Sequence, residues 1–315
     1  MVRAVFMGSD SFSLPVLEKL VDQGQNLRTA VEVVAVVTQP DRPAGRGRKQ
    51  RQSPVKIFAQ ERKLDVLQPR RIREEAAFHE FKAFRPELVV VASYGQILPD
   101  ALLSVPQCGC LNLHPSLLPK YRGPSPIVGP ILDGEVETGT TLMLMSSHMD
   151  AGPIISQRSS LIEAEETAGE LEARLSRLSA DLLLKMLPEW IDARIKPREQ
   201  DDSAATYTSR IKKEDGRLNW TESSEHLSRQ IRAFNPWPAA FTSWNGKHVR
   251  ILRARPFSGD GEPGKIVGFR DGVLLAGTGS GLLGIVELQL PGGTAMPAAT
   301  MVRGRPELSA AQLGA

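Results

Sequence analysis

The sequence predicts an α/β protein in two parts: a mostly parallel sheet covered by helices, then a smaller β-rich domain. Three observations predict it. Apolar runs alternate with helical patterns over the first ~200 residues, the rhythm of a parallel sheet with crossover helices. A polar, unpatterned stretch at residues 195–209 follows and reads as a linker. Beyond it, short alternating runs bounded by Gly and Pro suggest a small antiparallel barrel or sandwich. The length agrees, since 315 residues at ~150 per domain favour two domains. The expected boundaries are 1–194, a linker at 195–209, and 210–315.

Taken in order, the first strands are expected at residues 3–7, 32–38, 88–92, 109–113 and 140–145. Between them lie helical stretches. One covers 14–21, with Ser13 as its N-cap and Pro15 near its start. A second covers 53–62 and repeats the arrangement with Ser53 and Pro54, and a third covers 74–84. A long helix is expected over 167–193, where Leu171, Leu175, Leu178, Leu182 and Met186 recur at steps of four and three on one face. That stripe is a packing surface. In the last third, strands are expected at 248–254, 265–269, 272–276 and 282–290, with Trp220, Trp237 and Trp244 in their core.

Composition excludes several classes. With 41% hydrophobic and 24% charged residues, the chain can build a packed core and is not globally disordered. No apolar run reaches the ~20 residues that cross a bilayer. Residues 1–8 read as a strand entering a Gly turn rather than as a signal peptide, so a cytoplasmic location is the expectation. The two cysteines, Cys108 and Cys110, are too few for a disulfide framework or a metal site and are expected as small residues of a buried strand. No metal is expected.

Charge is uneven. Residues 1–204 carry 25 basic and 27 acidic side chains, whereas residues 205–315 carry 14 and 9, so the net charge of +3 arises in the last third. A mildly basic domain is compatible with a polyanionic partner, though five charges alone equally describe a solvated surface. A sharper cluster is Arg42, Arg46, Arg48, Lys49 and Arg51, interleaved with Pro43, Gly45 and Gly47. Gly and Pro are expected to keep it out of helix and sheet, as a cationic loop that either stands in solvent or clamps a nucleic acid backbone.

Ligands of open parallel sheets bind beyond the carboxyl ends of the strands. Three polar stretches follow predicted strands there: residues 92–99, 112–123 and 148–152. Asn112 and His114 are two apart in extended chain and therefore share a side. Asp150 comes from a neighbouring strand end. An amide donor, an imidazole and a carboxylate suit acyl transfer, with the amide at an oxyanion and the His–Asp pair handling an amine proton. No Ser or Cys occupies a nucleophile elbow, which favours direct attack by a substrate amine. A dinucleotide site is disfavoured, because GSDSFS at residues 8–13 lacks the second and third Gly.

The string NLHPSLLPKYRG at residues 112–123 closely resembles the active-site segment of the folate-dependent formyltransferases, and MDAG at 149–152 resembles that family's second catalytic segment. KEDGRLNW at 213–220, RAFNPWPAAFT at 232–242 and TQPDRPAGRG at 38–47 resemble segments of the branch that formylates methionine on initiator tRNA. The resemblance covers nearly the whole chain. It departs at GSDSF, residues 8–12, which lacks the usual Pro, and at residues 292–296, which lack a basic residue.

The resemblance implies a doubly wound formyltransferase-type domain followed by an OB-like β-barrel. It implies a formyl group taken from 10-formyltetrahydrofolate and passed to initiator methionyl-tRNA. Asn112 would hold the formyl oxygen, His114 would do electrostatic and proton-transfer work, and Asp150 would orient His114 and free the amine. Tyr94, Gly95, Gln96, Ile97, Leu98, Ser116, Leu117, Leu118 and Pro119 would line the folate pocket. Arg42, Arg46, Arg48 and Lys49 would contact tRNA. Arg122 is either a substrate-facing charge or a structural partner for a carboxylate. The protein is expected to act as a monomer.

Overall fold

The structure is a computed structural model that describes residues 1–44 and 49–314. The chain forms two compact units. The first comprises Met1–Pro126, Thr138–Leu161 and Glu172–Thr208, and the second Ile127–Glu137, Ile162–Leu171 and Ser209–Ala315.

The first unit is built on a seven-stranded sheet. Its strands are β1 (Val2–Gly8), β2 (Val31–Val37), β5 (Asp65–Leu67), β6 (Leu88–Ala92), β7 (Cys110–His114), β8 (Glu137–Leu144) and β9 (Ile154–Leu161); β3 (Arg42–Ala44) and β4 (Lys49–Arg51) stand apart as a pair. The order is β5-β2-β1-β6-β7-β8-β9. The pairs from β5 to β7 are parallel, and β8 runs antiparallel to β7. The chain thus winds outward from β1 to β5, then returns to β6 on the other side of β1. Ligand crevices open at such a reversal, beyond the carboxyl ends of the strands. The central strands β1 and β6 are apolar runs buried on both faces, as covering helices require. Gly8 ends β1 where a Cβ would lie 2.7 Å from the Ala92 carbonyl oxygen and 2.7 Å from the Ser13 Cβ, so only glycine permits this approach of β1 to β6.

The helices follow from local chemistry. They are α1 (Ser13–Gln23), α2 (Pro54–Glu61), α3 (Glu75–Ala83), α4 (Asp100–Leu103), α5 (Val128–Asp133) and α6 (Ala168–Ile191). Ser53 caps α2 as expected, its Oγ accepting from Lys56 N with Pro54 at the first turn. Ser13 does not cap α1: it lies inside the helix, and its buried Oγ accepts from Ser9 N and donates to the Ala92 carbonyl. It ties the turn after β1 to the end of β6 instead. Two strands of the seven-stranded sheet escape the sequence pattern, β5 and β9. Each ends the sheet, and β9 exposes Arg158 and Ser159, so neither carries a central strand's apolar signal.

The cationic segment is not wholly outside sheet structure. β3 and β4 pair antiparallel, Arg42 opposite Arg51 and Ala44 opposite Lys49, so its arms form a short hairpin despite Pro43. Cys110 is buried in β7, while Cys108 lies before the strand and is half-buried; both are free. Burial pushes the Cys110 thiol up to about 12. Among the described residues, no helix is long and apolar enough to cross a membrane.

The second unit adds α7 (Ser224–Ala233), β10 (Ala240–Trp244), β11 (Lys247–Phe257), β12 (Ile266–Arg270), β13 (Val273–Gly277), β14 (Leu282–Gln289), β15 (Met296–Pro297) and α8 (Ala298–Gly304). The order β10-β11-β14-β13-β12 is antiparallel throughout, a β-barrel-like arrangement. Trp220 and Trp244 join its core with Leu227, Ile231, Val249, Ile251 and Leu283. The Trp220 Nε1 donates to Thr242 Oγ1 at 2.9 Å, which satisfies its buried polar atom. Trp237 is not core: it is 54% exposed, between Pro236 and Pro238.

Candidate active site

Every group of this site lies in the first unit. β7 places Asn112 and His114 on one face at its carboxyl end, opposite Met143 and Thr141 of β8. His114 is 4% exposed and Asn112 is half-buried. The His114 Nε2 lies 2.9 Å from the Tyr121 carbonyl oxygen. A carbonyl only accepts, so Nε2 carries the proton and Nδ1 presents its lone pair whenever the ring is neutral. Nδ1 faces the Asp150 Oδ1 at 3.7 Å. The Asp150 Oδ2 accepts from Gly123 N at 2.8 Å. The ring is therefore anchored by a main-chain carbonyl, while Asp150 stands beside the basic nitrogen. Sequence reasoning missed Tyr121 as the anchor, because a carbonyl leaves no side-chain signal. Among the described residues, the Asn112 carboxamide has no hydrogen-bond partner, so its donors are available to a ligand.

The expected folate-lining residues divide into two groups. In the second polar stretch, Ser116 is buried and its Oγ donates to the Lys120 carbonyl. Leu118 packs with Met143 and Ile154, and its N–H donates to Thr141 Oγ1. Leu117 and Pro119 flank it, both half-buried. In the first stretch, Tyr94 and Leu98 sink into the core cluster with Val37, Ile72 and Val91. Among the described residues the buried Tyr94 hydroxyl has no partner, and burial drives its pKa upward. Gly95 takes a φ of +78° in the bend that follows Tyr94. Gln96 braces the neighbouring loop, accepting from Ile72 N and donating to the Pro69 carbonyl. Ile97 is 78% exposed.

Of the basic residues, Arg42 is exposed and donates to Gln39 Oε1 at 3.0 Å. Lys49 begins β4. Arg46 and Arg48 lie outside the described residues. The hairpin base is fixed: Gln39 donates to Ser9 Oγ and to the Tyr94 carbonyl, and the Lys56 ammonium holds the Asp41 carboxyl below the usual range. Arg122 is buried and bonded to Gln200, Asp202 and Tyr207, which gives it structural partners. Residues 198–208, expected as linker, bond along this segment. Arg198 pairs with Ile154, and Tyr207 with Arg122. Among the described residues, no group of three or more His, Cys, Asp or Glu is placed to hold a metal ion.

An accessible amide beside an imidazole–carboxylate pair can stabilise an oxyanion and accept a proton at one centre. Comparison with known proteins gives that arrangement a family. A formyl transferase model matches residues 2–187, and a formyl transferase C-terminal domain model matches residues 210–306. The methionyl-tRNA formyltransferase of Chloroflexus aurantiacus is 46% identical over 291 residues, 91% of this chain and 92% of its own. That of Geobacter sulfurreducens is 41% identical over 96% of this chain and 94% of its own. Among solved structures, an N-formyltransferase from Helicobacter canadensis in complex with folinic acid and dTDP-3-aminofucose matches with a TM-score of 0.66 at 21% identity, over 90% of this chain and 98% of its own. HypX from Aquifex aeolicus in complex with tetrahydrofolic acid matches at 0.64 and 19% identity, over 95% of this chain and 46% of its own, so these two likenesses bear on the fold alone. The chain belongs to the formyl transferase family and, within it, to the methionyl-tRNA formyltransferases.

Proposed function

We propose that the protein transfers the formyl group of 10-formyltetrahydrofolate to the amino group of methionine on initiator methionyl-tRNA, the step that prepares this tRNA for translation initiation. The observation that carries the reading is the accessible Asn112 amide beside the His114–Asp150 pair at the end of β7. The residues fit a reduced folate. The exposed Ile97 and half-buried Leu117 and Pro119 offer apolar contact for a flat ring, and the lone Asn112 amide offers a donor to the formyl oxygen.

In this reading Asn112 donates to the formyl oxygen as negative charge grows on it. The methionyl amine attacks the formyl carbon, and the bond from that carbon to the folate nitrogen breaks. His114 Nδ1 and the Asp150 carboxylate take up the amine proton, and the leaving folate nitrogen receives one. Tyr121 keeps the His114 Nε2–H pointed away from the reacting centre. Arg42, Arg46, Arg48 and Lys49 bind the tRNA backbone, the protein acts as a monomer, and the reaction belongs to the cytoplasm.

The test is formyl transfer from labelled 10-formyltetrahydrofolate to charged initiator tRNA, charged elongator tRNA and a nucleotide-sugar amine. Transfer to the initiator alone is expected. Transfer to the sugar amine with none to tRNA overturns the reading. Neutralising Arg42, Arg46, Arg48 and Lys49 together is expected to weaken tRNA binding and lower the slope of log K against log salt by up to ~3–4, at ~0.7–0.9 per lost phosphate contact. Folate affinity stays unchanged.

A further inference from the structure

The most heavily bonded side chain beside the candidate catalytic groups has no part in the proposed chemistry. Arg122 is 2% exposed. Its Nε and Nη2 donate to Gln200 Oε1 at 3.1 and 2.8 Å, its Nη2 also to Asp202 Oδ1 at 2.8 Å, and its Nη1 to the Tyr207 hydroxyl at 3.1 Å. Burial works against its charge, and the bonds to Asp202 and Tyr207 outweigh it, leaving the guanidinium pKa above its ordinary value.

Gln200 connects this cation to the site. Its Oε1 is held by a group that only donates, so its Nε2 must face acceptors. It donates to the Asp150 carbonyl at 2.8 Å and the Gly152 carbonyl at 2.7 Å. One carboxamide thus ties a buried cation to both ends of the three-residue turn that carries the Asp150 carboxylate. That turn needs holding, because Asp150 adopts a φ of +51°, a left-handed conformation unfavourable for a residue with a Cβ. The same strap grips the segment on the other side of the imidazole. Tyr121 N donates to Thr206 Oγ1 at 2.8 Å, Arg122 N to the Thr206 carbonyl at 2.9 Å, and Thr208 N to the Arg122 carbonyl at 2.8 Å. Tyr121 and Gly123 are the residues that supply the carbonyl on His114 and the N–H on Asp150. Both mountings of the His114–Asp150 pair therefore hang from residues 200–208.

We propose that Gln200 is a positioning residue for formyl transfer: anchored by Arg122, it sets the Asp150 carboxylate at its distance from His114. The proposal rests on the formyl-transfer reading. Gln200→Glu isolates it. The carboxylate keeps a partner for Arg122 but sets an acceptor against the Asp150 and Gly152 carbonyls, so only the Asp150 side of the link is lost.

The experiment measures thermal melting, the Kd for 5-formyltetrahydrofolate and steady-state transfer to initiator methionyl-tRNA. The expected result is wild-type melting and folate affinity, KM unchanged, and kcat lowered by about 10–100-fold, the scale on which small displacements of catalytic groups act. Asp202→Ala removes a bond to Arg122 without touching Asp150, and its kcat is expected within about two-fold of wild type. Wild-type kcat in Gln200→Glu overturns the proposal, as does a loss confined to KM or folate affinity. If Gln200→Glu does not fold, Gln200→Ser, which removes all the bonds and adds no charge, is held to the same results. A wild-type protein inactive on every acceptor defeats the reading beneath the proposal. An active wild type with unaffected Gln200 variants defeats the proposal alone.

Discussion

The two nitrogens of His114 have different surroundings, and that asymmetry sets what the residue can do. Nε2 is committed to the Tyr121 carbonyl at 2.9 Å, which in the proposed reaction leaves Nδ1 and the Asp150 carboxylate as the proton acceptors. Asn112 lies two residues earlier on the same face and supplies donors. Asn112→Asp keeps the size and replaces the donors with acceptors. It is expected to lower kcat by roughly 10²–10³, as loss of an oxyanion donor does, while 5-formyltetrahydrofolate still binds and the melting temperature holds. Steady-state transfer and fluorescence titration check the two halves. Glu170, in the second unit, gives a prediction in pH. The Thr167 N–H and hydroxyl, and then Arg253, hold its carboxyl at about 2. Its folded pKa is depressed, so its stabilisation is complete above the unfolded value of ~4.3 and is lost as pH falls through about 2. Glu170→Gln should therefore melt below the wild type at neutral pH, with the gap closing as pH falls through that window. A gap that persists below pH 2 contradicts the assignment.

At the scale of elements, the loop from β8 to β9 carries Asp150 and is shaped by one glycine. A Cβ on Gly152 would lie 1.9 Å from the Leu144 carbonyl oxygen, a backbone atom that cannot step aside. Gly152→Ala must move the turn away from β8. A shift near 1 Å at a catalytic group costs about 10²-fold in rate, so kcat is expected to fall that far in a protein that still binds folate. Single-turnover transfer measures it. MDAG was legible in the sequence as a candidate segment by resemblance, and Asn112 and His114 were legible as face-sharing neighbours, because alternation in a strand fixes which side chains share a face. The central strands were legible because both faces are buried. β5 and β9 were not, since edge strands carry polar residues. Neither was the strap at residues 200–208. It is held by main-chain bonds and by Gln200, Thr206 and Thr208, and no hydrophobic period announces such contacts.

At the scale of the whole chain, the second unit is not one continuous stretch. It draws in Ile127–Glu137 and Ile162–Leu171 from earlier in the sequence. The reasons are local. Arg229 of α7 donates to the Leu132 carbonyl at 3.1 Å, Gly169 N donates to the Asn235 carbonyl at 3.0 Å, and Arg253 pairs with Glu170 at 2.5 Å. Linear composition hides this. The charge excess and the β pattern both begin after residue 204, while the two early segments look like connections within the first domain. A chain ended at Thr208 therefore removes more than a separate module. It strips α5, whose Ile131 is 1% exposed in the full chain, of its partner α7, and leaves the Glu170 carboxylate without Arg253. Fully exposing one such side chain costs about 1.5–3 kcal/mol, a large share of a typical margin of about 5–15 kcal/mol. The truncated chain is expected to melt below the full chain and to give less soluble protein, even though every residue of the candidate active site is retained. Thermal melting of both chains, each with and without 5-formyltetrahydrofolate, checks this. A truncated chain that melts with the full-length protein and binds the folate as tightly shows that the early segments do not depend on residues 209–315.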